Sequence, residues 1–233
     1  MRFIHASDLH IDSPLRGLDR YDGAPVDRLR SATRSALERL VDRALTERVD
    51  FLLLAGDIYD RDWQDFHTGL FFRGQMVRLE RAGIRCFIVQ GNHDAQGVIS
   101  RQLTLPSNVT VFSSRAAQTI RLDDLSVAIH GRSFPEREVN EDLVPSYPPP
   151  VPGFFNIGLL HTSLTGRAGH DTYAPTDLPT LVAKGYDYWA LGHVHAREVL
   201  NERPRIVFCG NLQGRHAKET GAKGCELVTV EAG

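Results

Sequence analysis

The sequence predicts an α/β fold (α+β by some schemes): two mixed β-sheets flanked by helices, a four-layer αββα sandwich. Two observations carry this. Strand, helix, strand, helix and strand patterns alternate through the first 90 residues, which implies a parallel core with crossover connections. Beyond them lie eight more stretches that read as extended, a count that two packed sheets with helices outside accommodate.

In order, Arg2 to Ala6 is a short opening strand. Asp27 to Arg48 is the clearest helix, with Leu29, Ala36, Leu37, Leu40, Val41, Ala44 and Leu45 at helical spacing among charged residues, and Asp50 ends it. Phe51 to Ala55 is apolar throughout and closed by Gly56, the pattern of a strand covered on both faces. Gln64 to Arg81 reads as a second helix stopped by Gly83, and Ile84 to Val89 as another buried strand closed by Gly91. The later strands are Val109–Phe112, Thr119–Leu122, Leu125–His130, Phe154–Leu160, Tyr188–Leu191, Val199–Leu200, Arg205–Cys209 and Cys225–Val230. Pro145 to Pro152 reads as a stiff surface loop rather than a docking motif for a polyproline-binding module.

At 233 residues the chain buries a substantial core, and no repeat or composition shift divides it, so residues 1–233 are read as one domain. With 42% hydrophobic and 24% charged residues it has the composition of a globular protein. A net charge of −2 argues against a nucleic-acid binder that works through bulk positive charge, while leaving room for local cations and for metals that neutralise phosphate. Cys86, Cys209 and Cys225 are odd in number and lack CxxC spacing, which suggests reduced thiols. Met1 leads straight into Asp8 and His10 with no room for a signal peptide, and no apolar run spans a bilayer, so the expected location is cytoplasmic, with no membrane partner.

The chemistry sits at the ends of predicted strands, where loops of α/β sheets build sites. Asp8 and His10 follow the first strand, Asp57 and Asp60 the second, and Asn92, His93 and Asp94 the third. His161 follows a later strand, and His193 and His195 follow Tyr188–Leu191. Each segment has a plain alternative: a turn aspartate, a helix cap, a Gly-Asn turn or a core histidine. Their joint order is what favours a metal site. Asp8 and His10, two apart in extended chain, would point the same way, and so would the imidazoles of His193 and His195. Asp57 can bridge two ions through its two oxygens, and Asn92 offers an oxygen without adding charge. His5, His67, His130, His170 and His216 are read as structural or surface residues. A donor set of Asp, Asn and His without Cys suits Mn²⁺, Fe²⁺ or Zn²⁺ and fits Ca²⁺ poorly. Two ions about 3.5–4 Å apart would hold a bridging hydroxide and clamp a phosphoryl group for in-line displacement.

These motifs, DxH, GDxxD, GNHD, a lone His and GHxH in that order, resemble the calcineurin-like metallophosphoesterase superfamily from Asp8 to His195. Within it the chain is most similar to the bacterial DNA-repair exonuclease branch, kin of the SbcD and Mre11 nucleases. The opening His5-Ala6-Ser7-Asp8-Leu9-His10-Ile11-Asp12-Ser13-Pro14-Leu15 and the later Gln213-Gly214-Arg215-His216 and Lys223-Gly224-Cys225 look like YhaO-type members. The resemblance implies Asp8, His10 and His195 on a first metal, Asn92, His161 and His193 on a second, and Asp57 bridging. It makes His93 the general acid or transition-state stabiliser, oriented by Asp94. Mn²⁺ is the expected ion, with Fe²⁺ or Zn²⁺ as alternatives.

The implied activity is a Mn²⁺-dependent DNA exonuclease or endonuclease working in repair. The rival reading keeps the site and makes the substrate a small nucleotide phosphodiester or phosphomonoester. Asp60 departs from the Mre11-like pattern, where histidine is usual. Such relatives continue into a capping region that contacts DNA and segments that bind an SMC-like ATPase of the Rad50/SbcC kind. This chain stops soon after its last predicted strand, so only a longer parent is expected to hold that partner. Arg215, His216, Lys218 and Lys223 form either a phosphate-contacting loop or a solvated turn.

Overall fold

The computed structural model describes residues 1–13, 31–60, 66–95, 103–165, 172–215 and 218–231. In chain order the elements are β1 (Arg2–Ala6), α1 (Ala32–Glu47), β2 (Phe51–Ala55), α2 (Phe66–Arg81), β3 (Arg85–Val89), β4 (Val109–Val111), β5 (Gln118–Leu122) and β6 (Val127–Gly131). They continue with a 3₁₀ turn (Val144–Ser146), β7 (Phe155–His161), α3 (Leu178–Ala183), β8 (Tyr188–Gly192), β9 (Glu198–Glu202), β10 (Arg205–Phe208) and β11 (Glu226–Thr229). The expected starts of the first two helices, 27–30 and 64–65, lie outside the described residues.

One sheet runs β11-β1-β2-β3-β4 and the other β5-β6-β7-β8-β10-β9. β1, β2, β3 and β4 are parallel neighbours, with α1 and α2 as crossovers, and β11 closes that sheet antiparallel to β1. In the second sheet β6, β7, β8 and β10 are parallel, with β5 and β9 antiparallel at its edges. Both sheets are mixed, as the sequence led us to expect.

Strand alternation explains the layers. Phe3, Phe51, Leu53, Phe87 and Val89 point from the first sheet onto Ile129, Ile157, Leu159, Tyr188 and Val207 of the second, forming the middle core. Phe3 stacks on Phe51 and meets the Tyr188 ring edge-on. The intervening residues Ile4, Leu52, Leu54, Cys86 and Ile88 face outward onto Leu37, Leu40, Val41, Phe72 and Met76 of the two helices. The outer face of the second sheet, Leu160, Trp189, Leu191, Ile206 and Phe208, is covered by Leu181 of α3 and by coil carrying Phe134, Val139, Leu143 and Tyr147. That fourth layer holds one short helix among the described residues, and α3 was not anticipated. Its six residues show too little apolar periodicity, although Asp177 caps it by accepting from the Thr180 N–H.

The proline-rich stretch, Pro145 to Pro152, is mostly exposed, as a surface loop is, but it is anchored inward at Tyr147. Val144 and Tyr147 are buried, and the Tyr147 hydroxyl donates to the Leu159 carbonyl at 2.8 Å. The fold thus brings the carboxyl ends of β1, β2, β3, β7 and β8 to one rim, where both sheets open together.

Candidate metal centre

At that rim the loop after β1 runs beside the loop after β2. Asp8, His10 and Ile11 donate their backbone N–H groups to the carbonyls of Gly56, Asp57 and Ile58, each at 3.0 Å. This pairing is not extended chain. Asp8, His10, Asp12 and Asp57 all take left-handed backbone, with φ of 51°, 42°, 57° and 54°. The expectation that Asp8 and His10 share a side through strand alternation is therefore replaced by a left-handed loop that turns both inward. His193 is likewise bent, at φ 100°, so its imidazole and that of His195 part company.

They part into two groups. Donor atoms of Asp8, His10 and His195 lie within 4.8 Å of one another, and so do those of Asp57, His161 and His193. Asp57 stands between the groups, its Oδ2 3.7 Å from His10 Nε2 and 3.5 Å from His161 Nε2. Asn92 adds its Oδ1 at 2.9 Å from His161 Nε2. Asp8, His10 and His161 are fully buried, and Asp57, Asn92 and His193 nearly so.

The hydrogen bonds on the far sides of the rings fix which nitrogen faces inward. His161 Nδ1 meets the Ala55 carbonyl at 2.8 Å, which only accepts, so Nδ1 carries the proton. His10 Nδ1 meets Asp60 Oδ1 at 2.9 Å and His195 Nδ1 meets Glu219 Oε1 at 2.6 Å, again placing the protons outward. For neutral imidazoles the lone pairs at Nε2 then converge. His10 Nε2 and His195 Nε2 lie 3.3 Å apart, and His161 Nε2 faces the oxygens of Asn92 and Asp57. Acceptor against acceptor in a buried pocket is what a cation resolves, so this donor set fits divalent metals.

When protonated instead, the same rings hold the carboxylates in their charged form. Burial would raise the Asp8 carboxyl, yet His195 and His161 hold it below the usual carboxylate range. Burial acts the same way on Asp57, where His161, His10 and His93 more than offset it. Two glycines admit this crowding. A Cβ on Gly56 would sit 2.4 Å from His161 Nδ1, and one on Gly91 would sit 2.3 Å from Asp57 Oδ1.

His93 stands beside the centre, its ring edge-on to His10 at 4.9 Å between centroids. Its backbone N–H donates to Asp57 Oδ1 at 2.9 Å, and its Nδ1 lies 3.1 Å from Asp60 Oδ1. Burial lowers the His93 pKa, but the bond to Asp60 outweighs it and the net shift is upward. Asp94, expected to orient His93, makes no hydrogen bond to it among the described residues. Its carboxylate turns away and accepts the N–H groups of Ile58, Tyr59 and Gly91 at 2.9, 3.0 and 3.2 Å, which ties the β2 loop to the β3 loop. Burial and nearby Asp57 push its carboxyl up to about 7 against those donors.

The loop after β10 supplies one partner the sequence reading missed, Glu219. Glu219 accepts from His195 Nδ1, from Asn211 Nδ2 at 2.8 Å and from the Arg215 N–H at 2.7 Å, and these bonds hold its carboxyl well below the usual range despite burial. Arg215 Nη2 reaches both oxygens of Asp60 at 2.9 Å, and its Nε donates to Ser13 Oγ at 3.3 Å. Lys223 Nζ donates to the His195 carbonyl at 3.1 Å. Arg215 and Lys223 are thus bound to the centre rather than part of a solvated turn. Lys218 is exposed, and His216 lies outside the described residues. The one sequence signal for Glu219 was an acidic residue set among the Arg and Lys of a Gly-rich run.

Of the histidines assigned structural roles, His5 lies in the middle core between Tyr188 Oη and the Leu191 carbonyl, and His130 bridges Thr119 and Asn156. His67 is exposed, and His170 is outside the described residues.

The chain is similar to known proteins. The chain is 39% identical over 237 residues to the uncharacterized metallophosphoesterase YhaO of Bacillus subtilis, covering 100% of this chain and 58% of that protein. It is 24% identical over 278 residues to the SbcD component of the nuclease SbcCD of Escherichia coli K12, covering 100% of this chain and 66% of the relative. The chain thus spans little more than half of the YhaO length and about two thirds of the SbcD length. The fold is shared with a dimetal phosphatase from Danio rerio at a TM-score of 0.52 and 10% identity, covering 91% of this chain and 88% of that one. The family model for calcineurin-like phosphoesterases matches residues 1–197, the span that holds both sheets' parallel strands up to β8 and every residue grouped above around the centre, with the loop of Glu219, Arg215 and Lys223 beyond it, and the chain belongs to that family.

Proposed function

We propose that this chain is a two-metal phosphodiesterase that cuts DNA, with Mn²⁺ as its working ion, in the service of DNA repair. The observation that carries the two-metal part is the position of Asp57 Oδ2 between His10 Nε2 and His161 Nε2, at 3.7 and 3.5 Å. Asp8, His10 and His195 would hold one ion, Asn92, His161 and His193 the other, and Asp57 both. When bound, the pair supplies Lewis acidity toward the phosphoryl oxygens and ionises water near neutral pH.

The chain's own residues do the rest. Asp60, Glu219 and the Ala55 carbonyl keep the Nδ1 protons outward, so three imidazoles present lone pairs without reorganisation. His93, with Nδ1 taken by Asp60, has Nε2 left for the substrate, where the ring can deliver a proton to a leaving alkoxide. DNA as substrate is supported by likeness to SbcD, which is named as part of a nuclease. That SbcD is one component of a larger enzyme supports an SMC-like ATPase as the partner of a longer parent.

The test is direct. Purified chain loaded with Mn²⁺ is expected to cleave a DNA oligonucleotide, and His93→Ala to abolish turnover while two metals per chain remain by elemental analysis. Hydrolysis confined to small nucleotide esters would transfer the chain to the rival substrate class. Undiminished cleavage by His93→Ala would remove that residue from the reaction.

A further inference from the structure

A cleft of about 160 Å³ opens between α1 and the run 223–225 that leads into β11. Leu40 and Leu212, both buried, form its floor, and Arg39, Arg43 and Lys223 stand around it. The cleft adjoins the metal centre through one short segment. Lys223 lines it while its Nζ donates to the His195 carbonyl at 3.1 Å, and Leu212 follows Asn211, which binds the Glu219 carboxylate held by His195.

The charges around it do not cancel. Arg43 pairs with Glu47 at 2.8 Å, but 58% of its side chain is exposed, and an exposed i,i+4 pair of this kind contributes little and can reopen. Glu47 is shared with Arg2 at 3.3 Å, and Asp42 is turned toward Arg78 of α2. Arg39 and Lys223 have no carboxylate within ion-pair distance among the described residues. The result is a local positive cleft on a chain of net charge −2.

We propose that this cleft is a subsite for a phosphate of a nucleic-acid strand whose scissile phosphodiester lies at the metal centre. This rests on the nuclease reading and extends it to the path of the strand. A small phosphodiester is accommodated wholly at the metals and gains nothing from cations one loop away. A polymer carries further phosphates, and its sugar can lie on the apolar floor formed by Leu40 and Leu212. Substrate length is therefore the property this cleft reads.

The experiment uses the full chain with Mn²⁺ and the double variant Arg39→Ala/Arg43→Ala, both positions exposed and remote from the metal donors. Two substrates are compared, a labelled single-stranded oligonucleotide and bis(p-nitrophenyl) phosphate. The variant is expected to raise KM for the oligonucleotide on the order of ten-fold at about 0.1 M salt, with kcat and KM for the small diester unchanged. The slope of log affinity against log salt for the oligonucleotide should become shallower by about 0.7, the share of one phosphate on a single strand. Arg39→Lys/Arg43→Lys should retain most of the affinity. If the wild type cuts DNA and the Ala variant does so with the same KM and salt slope, the subsite is refuted and the nuclease reading stands. Equal losses on both substrates also refute it. If the wild type hydrolyses only the small diester and does not bind the oligonucleotide, both readings fail together.

Discussion

Asp60 Oδ1 lies 3.1 Å from Nδ1 of His93, and the same oxygen lies 2.9 Å from Nδ1 of His10. One carboxylate therefore orients the proposed metal donor and the proposed acid at once, while Arg215 Nη2 reaches both of its oxygens.

Asp60→Asn tests that arrangement. His93 is pushed down by burial and lifted above its ordinary value by its bond to Asp60, so removing the charge lets it deprotonate at lower pH. An acid must be protonated to work, and the alkaline limb of kcat/KM should move to lower pH. We expect kcat on a chromogenic diester to fall on the order of a hundred-fold. Asp94→Asn should leave that limb where it is, because its carboxylate meets backbone N–H groups rather than His93. The opposite pattern, a limb shifted by Asp94→Asn and untouched by Asp60→Asn, would return the orienting role to Asp94.

Glu219→Gln probes the other outer partner. An amide can present its NH₂ to His195 Nδ1 and let the ring reverse its tautomer, which turns the Nε2 lone pair into a donor. Such orienting partners are worth about 10- to 100-fold in metal affinity. Titration of metal-free protein with Mn²⁺ by calorimetry should show one of two binding steps weakened by that amount. Two unaltered steps would reduce Glu219 to a loop tie.

The strands and the donor residues were readable because each announces itself locally. A covered parallel strand is a short apolar run, and its carboxyl end is where a polar motif can stand, so Asp8, Asp57, Asn92, His161 and His193 were located by the strands before them. The partners were not readable in the same way. Asp94 follows His93 directly, and adjacency suggested contact, yet the turn sends the two side chains to different neighbours. Glu219 meets a histidine 24 positions away through a loop with no periodicity. The inward turn of His10 came from left-handed backbone, which a motif does not encode.

Gly91→Ala should empty the centre without unfolding the chain. Its Cβ would fall 2.3 Å from Asp57 Oδ1 and 2.8 Å from the His161 ring, so the shared carboxylate must move. Metal content is expected to drop below one per chain, and activity with it. Gly74→Ala is the matched control, since a Cβ there meets nothing within 4 Å, and alanine on an exposed position of α2 should stabilise the protein by roughly 1 kcal/mol. Full metal loading in Gly91→Ala would show that the rim can spread.

His5 offers a pH test in the middle core, away from the donors themselves. Burial holds its pKa down to about 4 from the ordinary 6.5, while Nδ1 faces the Tyr188 hydroxyl and Nε2 the Leu191 carbonyl, both satisfied by a neutral ring. The unfolded chain takes up this proton as pH falls through about 6.5, and the folded chain only near 4. The folded state binds fewer protons in that window, so His5 leaves stability intact above about 6.5 and erodes it toward 4, at about 1.4 kcal/mol per pH unit. Over the window this amounts to roughly 3 kcal/mol. His5→Gln carries no proton to exchange. Urea unfolding of metal-free protein at pH 7 and pH 5 should therefore show the wild type losing about 2 kcal/mol more than the variant between the two conditions. Equal losses would mean that the ring is already protonated in the fold, and that Tyr188 and Leu191 do not hold it neutral.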